Sequence, residues 1–208
     1  MIATPSAGFV HADYCASLTK MILYFLQHPI LGNEKEPREM MFTMMVGANI
    51  GQNREQIVEG ALENDCTHVL FLDDDMGFSH DCLNMAAMRR MPIVIGNYRR
   101  KVFPGLFTAR NADNTASIQT KEDSTSLEEC SFGGFGFALI ERQVFEAIPL
   151  PRFLMIYDAA SKTYSTEDLP FYAAATKAGF QTWVDHDLSK KLRHNGSFQY
   201  TWDTEFET

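Results

Sequence analysis

Three consecutive aspartates, Asp73, Asp74 and Asp75, stand directly after the unbroken apolar run Val69-Leu70-Phe71-Leu72. A run without alternation suits a central parallel strand covered on both faces. In open α/β sheets ligands bind beyond the carboxyl ends of the strands, which is where these side chains fall. Two carboxylates about 4 Å apart repel by roughly 4 kcal/mol at an effective dielectric of about 20, so the position calls for a counter-cation. Mg²⁺ or Mn²⁺ held by one or two carboxylates, with water and phosphate oxygens in the remaining positions, suits such a site better than an all-protein cage. The plain alternative is a solvated acidic turn that caps the next helix. An EF-hand is excluded, because the sixth position from Asp73 is Phe78 rather than Gly and the twelfth is Asn84 rather than Glu.

A second acidic pair, Glu167-Asp168, lies at the start of a helical stretch running from Thr166 to Ala178 and closed by Gly179. The helix dipole favours ionised carboxylates there, and Ser165 or Thr166 can cap the helix. Taken alone, this is also the pattern of an ordinary capping box. Arg99, Arg100 and Lys101 form the densest basic cluster of the chain. They can reach a diphosphate or an anionic acceptor, or stand in a solvated loop. Gly133-Gly134-Phe135-Gly136 precedes a strand instead of opening a helix, so it is not a dinucleotide fingerprint. Its glycines allow close backbone approach to a sugar.

Short apolar runs alternating with segments of helical period predict βαβ units around a mostly parallel sheet. Strands are expected at Ile2 to Thr4, Met40 to Val46, Val69 to Leu72, Ile93 to Ile95, Phe135 to Ile140 and Gln181 to Val184. Pro5-Ser6-Ala7-Gly8 reads as a turn-rich loop. Helices are expected over Tyr14 to Gln27, ended by His28-Pro29, over Asn53 to Glu63, from a Ser79 cap to about Arg90, and over Arg142 to Ile148. Two segments show no core pattern: polar Asn111 to Glu129, expected as a mobile acceptor-side loop, and Leu188 to Thr208, expected as a tail or lid.

The composition bounds what these elements serve. With 208 residues, 45% hydrophobic and 22% charged, the chain reads as one soluble domain, 1–208, able to bury about 70% of its unfolded surface. No internal repeat or linker divides it. Cys15, Cys66, Cys82 and Cys130 contain no CxxC and imply neither a disulfide framework nor a zinc ribbon, as in a reducing compartment. The net charge of -9 disfavours binding along an extended nucleic acid. The apolar stretch Met21 to Leu26, with Ile30 and Leu31 beyond, is too short to span a bilayer, and no signal-peptide pattern opens the chain. A cytoplasmic protein is expected. No HxE precedes a PCxxC, which disfavours a zinc nucleobase deaminase. The eleven methionines read as core filler.

Leu70-Phe71-Leu72-Asp73-Asp74-Asp75 resembles the DxD motif of GT-A fold glycosyltransferases, and other motifs follow in that family's order. Ala3-Thr4-Pro5-Ser6 resembles the first strand and loop that hold the nucleotide base, and Gly51-Gln52-Asn53-Arg54 the helix start near the base or diphosphate. The Gly133 run resembles the acceptor-side strand, Ser165-Thr166-Glu167-Asp168 the xED motif, and Arg193-His194-Asn195-Gly196 the histidine that completes a metal site. The likeness spans nearly the whole chain and is nearest to small family-2-like transferases, including viral and phage forms. The segment from Asn111 to Glu129 departs from it.

The resemblance implies a single-domain α/β GT-A fold and transfer of a sugar from a nucleoside diphosphate, most often UDP, with Mn²⁺ or Mg²⁺ as cofactor. It implies nucleotide-sugar contacts from Thr4, Pro5, Ser6, Asn53, Arg54, Asp73 and Asp74, to which the basic cluster adds Arg99, acceptor-side positions at Gly133 and Gly134, and metal ligation by Asp73, Asp75 and His194. Asp168 is the expected base if the reaction inverts, with Glu167 second. In a retaining enzyme a carboxylate would instead stabilise the cationic face of the sugar. The acceptor stays open among glycan, protein and modified nucleobase. Two other readings remain: a nucleotidyltransferase on the same architecture, whose usual basic first loop is absent here, and a catalytically silent module that binds nucleotide sugars or glycans.

Overall fold

The computed structural model describes residues 1–28, 30, 39–102, 105–159, 162–196 and 199–204. Pro29, read above at the end of the first helix, and Leu31, read in the apolar stretch beyond it, lie outside the described residues, as do 197–198 and 205–208 of the tail.

The chain runs β1 (Ile2–Ser6), α1 (Ala12–Gln27), β2 (Phe42–Val46), α2 (Ile50–Glu63), β3 (His68–Leu72), β4 (Met76–Phe78), α3 (Cys82–Met88) and β5 (Ile93–Ile95). It continues through β6 (Arg110–Asn111), β7 (Leu127–Phe132), β8 (Phe137–Glu141), α4 (Arg142–Ala147), β9 (Tyr157–Asp158), β10 (Thr163–Tyr164) and α5 (Asp168–Lys177). The last elements are β11 (Thr182–Asp185), α6 (His186–Ser189), β12 (Leu192–Asn195) and β13 (Gln199–Tyr200). Eight strands form one sheet in the order β2-β1-β3-β8-β5-β11-β7-β6.

The period of two along each strand sorts the core into two layers. Ala3, Phe71, Ile95 and Ile140 face α2, α4 and α5 through Ile57, Val58, Val144, Phe145, Phe171 and Tyr172. Ile2, Leu70, Leu72, Val94 and Leu139 face the other way, toward Tyr14 and Met21 of α1 and Cys82, Leu83 and Ala86 of α3. Helices therefore cover both faces of a mixed α/β sheet.

Several expectations are corrected. The sheet is mixed rather than a run of parallel neighbours: β3 pairs parallel with β1 but antiparallel with β8, and β8 is also antiparallel to β5. That last predicted strand begins at Phe137, not Phe135, because Phe135 turns into the aromatic core beside Phe71, Phe153 and Phe171. Pro5 and Ser6 belong to β1, not to a loop; β1 pairs with β3 only through Ala3, so the missing Pro5 N–H leaves no gap on that side.

Two predicted caps are not used. Ser79 precedes α3 by a further turn, and Asp81 is the cap residue. Neither Ser165 nor Thr166 caps α5, whose first helical residue is Asp168; Ser165 Oγ instead accepts from Ile156 N–H at 3.0 Å. The polar 111–129 segment ends inside β7, which lies between β11 and the edge strand β6, and it buries Ile118 and Thr120. The tail is likewise built in. Leu188 and Leu192 are buried, and β12 pairs antiparallel with β4 across the acidic turn to make a three-stranded sheet with β13.

Candidate functional site

The acidic turn leaves the C-terminal end of β3, and two guanidinium or ammonium groups divide its carboxylates between them. Arg54 projects from the second turn of α2, a helix that starts at Ile50 because Asn49 caps it by accepting from Gln52 N–H at 3.1 Å. Its Nη2 donates to Asp73 Oδ1 at 3.1 Å. Its Nη1 donates to Asp168 Oδ1 at 2.8 Å and to Glu167 Oε1. Carboxylates 95 residues apart thus converge on one side chain that is only 4% exposed. The guanidinium also lies 4.6 Å from the ring centre of Phe135.

The electrostatics follow from that burial. Burial works against the charge on Arg54, but Asp168, Asp73 and Glu167 outweigh it and hold its pKa above the ordinary arginine value. Burial pushes Asp168 up to about 7, against Arg54 and with help from Glu167 and Asp73. Asp73 is also raised, by burial first, with Arg54 opposing and Asp75 adding to the rise. One guanidinium cannot fully compensate three carboxylates, so the cluster holds affinity for a proton.

Asp75 lies in a second group. Lys101 Nζ pairs with its Oδ2, and His194 Nε2 stands 3.5 Å from its Oδ1, which is buried with no hydrogen-bond partner. Burial raises the Asp75 pKa, but His194 and Lys101 outweigh it and hold this carboxyl below the usual range. His194 Nδ1 lies 2.8 Å from the Arg99 carbonyl oxygen. A carbonyl only accepts, so Nδ1 carries the hydrogen and Nε2 is the ring nitrogen that faces Asp75. The backbone N–H of Asn195 and its Nδ2 both donate to the Asp75 carbonyl at 2.9 Å, fastening β12 to the acidic turn.

Tyr98 joins the two groups, and no motif in the chain pointed to it. It is buried, its hydroxyl accepts from Gly136 N–H at 2.9 Å, and its ring meets His194 edge-on at 5.1 Å. Burial raises its pKa well above the ordinary value, with Asp73 and Asp168 adding to the rise. Lys101 was visible only as one of three basic residues in a row.

Other predicted site residues fall elsewhere. Thr4 and Ser6 are buried, the Thr4 hydroxyl bonded to Tyr14 and Ser6 Oγ accepting from Gly8 N–H at 2.9 Å. Pro5 lies between them in β1. Asn53 donates to the carbonyls of Met45 and Gly47 at 3.3 and 3.1 Å, an architectural use of its amide. Arg99 donates to the Gly105 and Trp202 carbonyls and covers Phe107. Asp74 lends its carbonyl to His11 N–H at 2.9 Å, tying the turn to the start of α1.

Gly133 and Gly134 serve close packing. A Cβ at Gly133 would meet Ile95 Cδ1 at 2.3 Å, and one at Gly134 would meet the Tyr98 hydroxyl at 2.2 Å. Among the described residues, no group of three or more His, Cys, Asp or Glu is arranged to hold a metal ion. A surface depression of about 490 Å³ lined by Asn111, Ser117, Lys121 and Glu128 contains none of the clustered carboxylates, which mark the site by their chemistry.

No family model matches the chain, and no curated protein matches it in sequence. Among solved structures it is similar to A197 from STIV, with a TM-score of 0.60 and 20% identity over 94% of this chain and 85% of that one. At that identity the likeness is one of fold. No helix among the described residues is long and apolar enough to cross a membrane.

Proposed function

We propose that the chain is a metal-dependent GT-A glycosyltransferase that moves a sugar from a nucleoside-diphosphate donor, UDP-linked in most proteins it resembles, to an acceptor hydroxyl. The observation that carries this reading is the convergence of Asp73 and Asp168 on Arg54, with Asp75 and His194 alongside. It puts a donor-side carboxylate and a candidate base on one buried fork at the end of β3.

Asp75 Oδ1 and His194 Nε2 fit a divalent cation: one oxygen is buried without a hydrogen bond, and the ring nitrogen beside it is oriented by the bond of the other nitrogen to the Arg99 carbonyl. Asp73, also expected as a ligand, is held by Arg54 instead. Mn²⁺ or Mg²⁺ bound there would act as a Lewis acid toward the departing diphosphate. Asp168 serves as the acceptor's base, since a carboxyl poised at about 7 is matched to proton transfer near neutrality. Its side chain keeps 21% exposure, enough for a hydroxyl to reach it, while Arg54 fixes its orientation.

The test is hydrolysis and transfer from a panel of nucleotide sugars with and without Mn²⁺. Asp75→Ala should abolish both with the melting temperature preserved, and wild-type turnover in that variant would sink the reading. A module that binds nucleotide sugars without turnover is the second reading, favoured by Arg54 engaging all three carboxylates. It predicts donor binding, unaltered by Asp168→Asn, without turnover on any acceptor.

A further inference from the structure

The two cations at the site are held in opposite ways. Arg54 is 4% exposed and forked over three carboxylates, so it cannot leave without stranding them. Lys101 is 30% exposed and meets one oxygen of one carboxylate through a compact charge on a flexible stem. That stem lies against Gly196, where a Cβ would come within 3.0 Å of Lys101 Cδ. Lys101 takes Asp75 Oδ2 and leaves Oδ1 open beside His194 Nε2.

We propose that Lys101 is an exchangeable place-holder for the divalent cation, and a diphosphate-binding residue once displaced. Its ammonium neutralises Asp75 in the empty protein. A divalent cation taking Asp75 and His194 evicts it, and the freed ammonium, still tethered beside the site, turns to an oxygen of the donor's diphosphate. Three donors on a rotatable stem suit a non-bridging phosphate oxygen as well as a carboxylate. Cation and diphosphate then reinforce each other's binding, because each removes a partner the other must displace. The inference rests on the metal-dependent reading above.

The experiment compares the wild type with Lys101→Met, which keeps the stem and loses the charge, and with Lys101→Gln as a second neutral variant. Binding of Mn²⁺ alone is followed by the paramagnetic signal of the free ion, with Asp75→Ala as the control for the site. Removing one charge-assisted hydrogen bond that the ion must break should tighten Mn²⁺ binding about tenfold. The preformed Mn²⁺–pyrophosphate complex, titrated calorimetrically, should bind the same variants about tenfold more weakly than wild type. Opposite signs for the two ligands support the exchange. The same change for both, or none, overturns it while leaving the metal reading intact if Asp75→Ala alone loses the ion. Absence of Mn²⁺ binding in every form, wild type included, overturns both.

Discussion

Arg54 Nη1 lies 2.8 Å from Asp168 Oδ1, joining α2 to the first residue of α5 across 114 positions of chain. The same guanidinium holds Asp73 and Glu167, so it is the cation on which a cluster of three carboxylates depends. Removing one partner of a buried ion cluster leaves uncompensated charge and typically costs about 3–5 kcal/mol. Arg54→Met should lose stability of that order in urea at neutral pH, and less in acid, where the carboxylates take up protons. Arg54→Lys should lose less, since it keeps the charge and forfeits the fork. An Arg54→Met protein as stable as wild type at neutral pH would show that the cluster is neutralised otherwise.

Asp168 predicts opposing pH trends for stability and activity. Its carboxyl is raised from 3.8 to about 7, burial being the main cause, so the folded protein holds this proton more tightly than the unfolded chain. The group's favourable contribution is therefore full below the unfolded value and lost as pH rises through about 7. Asp168→Asn lacks that loss, so its melting temperature relative to wild type should climb from acid to neutral pH. With Asp168 as the base proposed above, turnover would require the ionised carboxylate and should rise across the same window. A stability difference independent of pH would mean that Asp168 is ionised throughout.

What the sequence revealed, and what it hid, follows from the range of the interactions. The strand Val69 to Leu72 was legible because burial on both faces needs a continuous apolar run, and Asp73 to Asp75 because three charges after such a run are conspicuous. The direction of β8 was not legible: a buried strand shows the same run whether it is parallel or antiparallel. The three residues of β4 and four of β12 are too few to show a period, and they pair across more than a hundred positions. At the candidate site, the family resemblance singled out Asp168, Asp75 and His194, but Tyr98 meets them through contacts made only after folding. Asn53 is the opposite case: its type was conspicuous, but an amide at a helix start serves backbone carbonyls as readily as a ligand.

The space that Tyr98 needs can be tested separately from catalysis. A Cβ at Gly134 would lie 2.2 Å from the Tyr98 hydroxyl oxygen and 2.8 Å from Cζ. Gly134→Ala should cost about 1–3 kcal/mol, as overpacked interiors do. Tyr98→Phe removes the nearer atom and also the acceptor for Gly136 N–H, so alone it should cost about 1–3 kcal/mol. In the double variant part of the clash has gone, and the two losses should sum to less than their separate values. Strict additivity in denaturant unfolding would mean that the glycine is there for another reason.

Phe9 is the most exposed large apolar side chain described, at 89%, and its place makes that exposure informative. It follows Gly8, whose φ of +105° is a conformation glycine adopts readily, in the turn that Ser6 Oγ holds at the C-terminal end of β1. Two residues on, His11 N–H bonds the Asp74 carbonyl, so the turn is fastened to the acidic triplet. An aromatic face presented to solvent beside the diphosphate site proposed above is suited to stack a nucleobase, and such stacking is worth about 1–3 kcal/mol per base. Phe9→Ala should weaken binding of the preferred nucleoside diphosphate by about ten- to a hundredfold, and Phe9→Trp should retain it. Because the ring packs on little else, the melting temperature of the nucleotide-free protein should hardly move. Calorimetric titration of both variants decides the matter: unchanged affinity in Phe9→Ala places the base elsewhere. A fall in affinity matched by a fall in melting temperature would assign Phe9 to the fold instead.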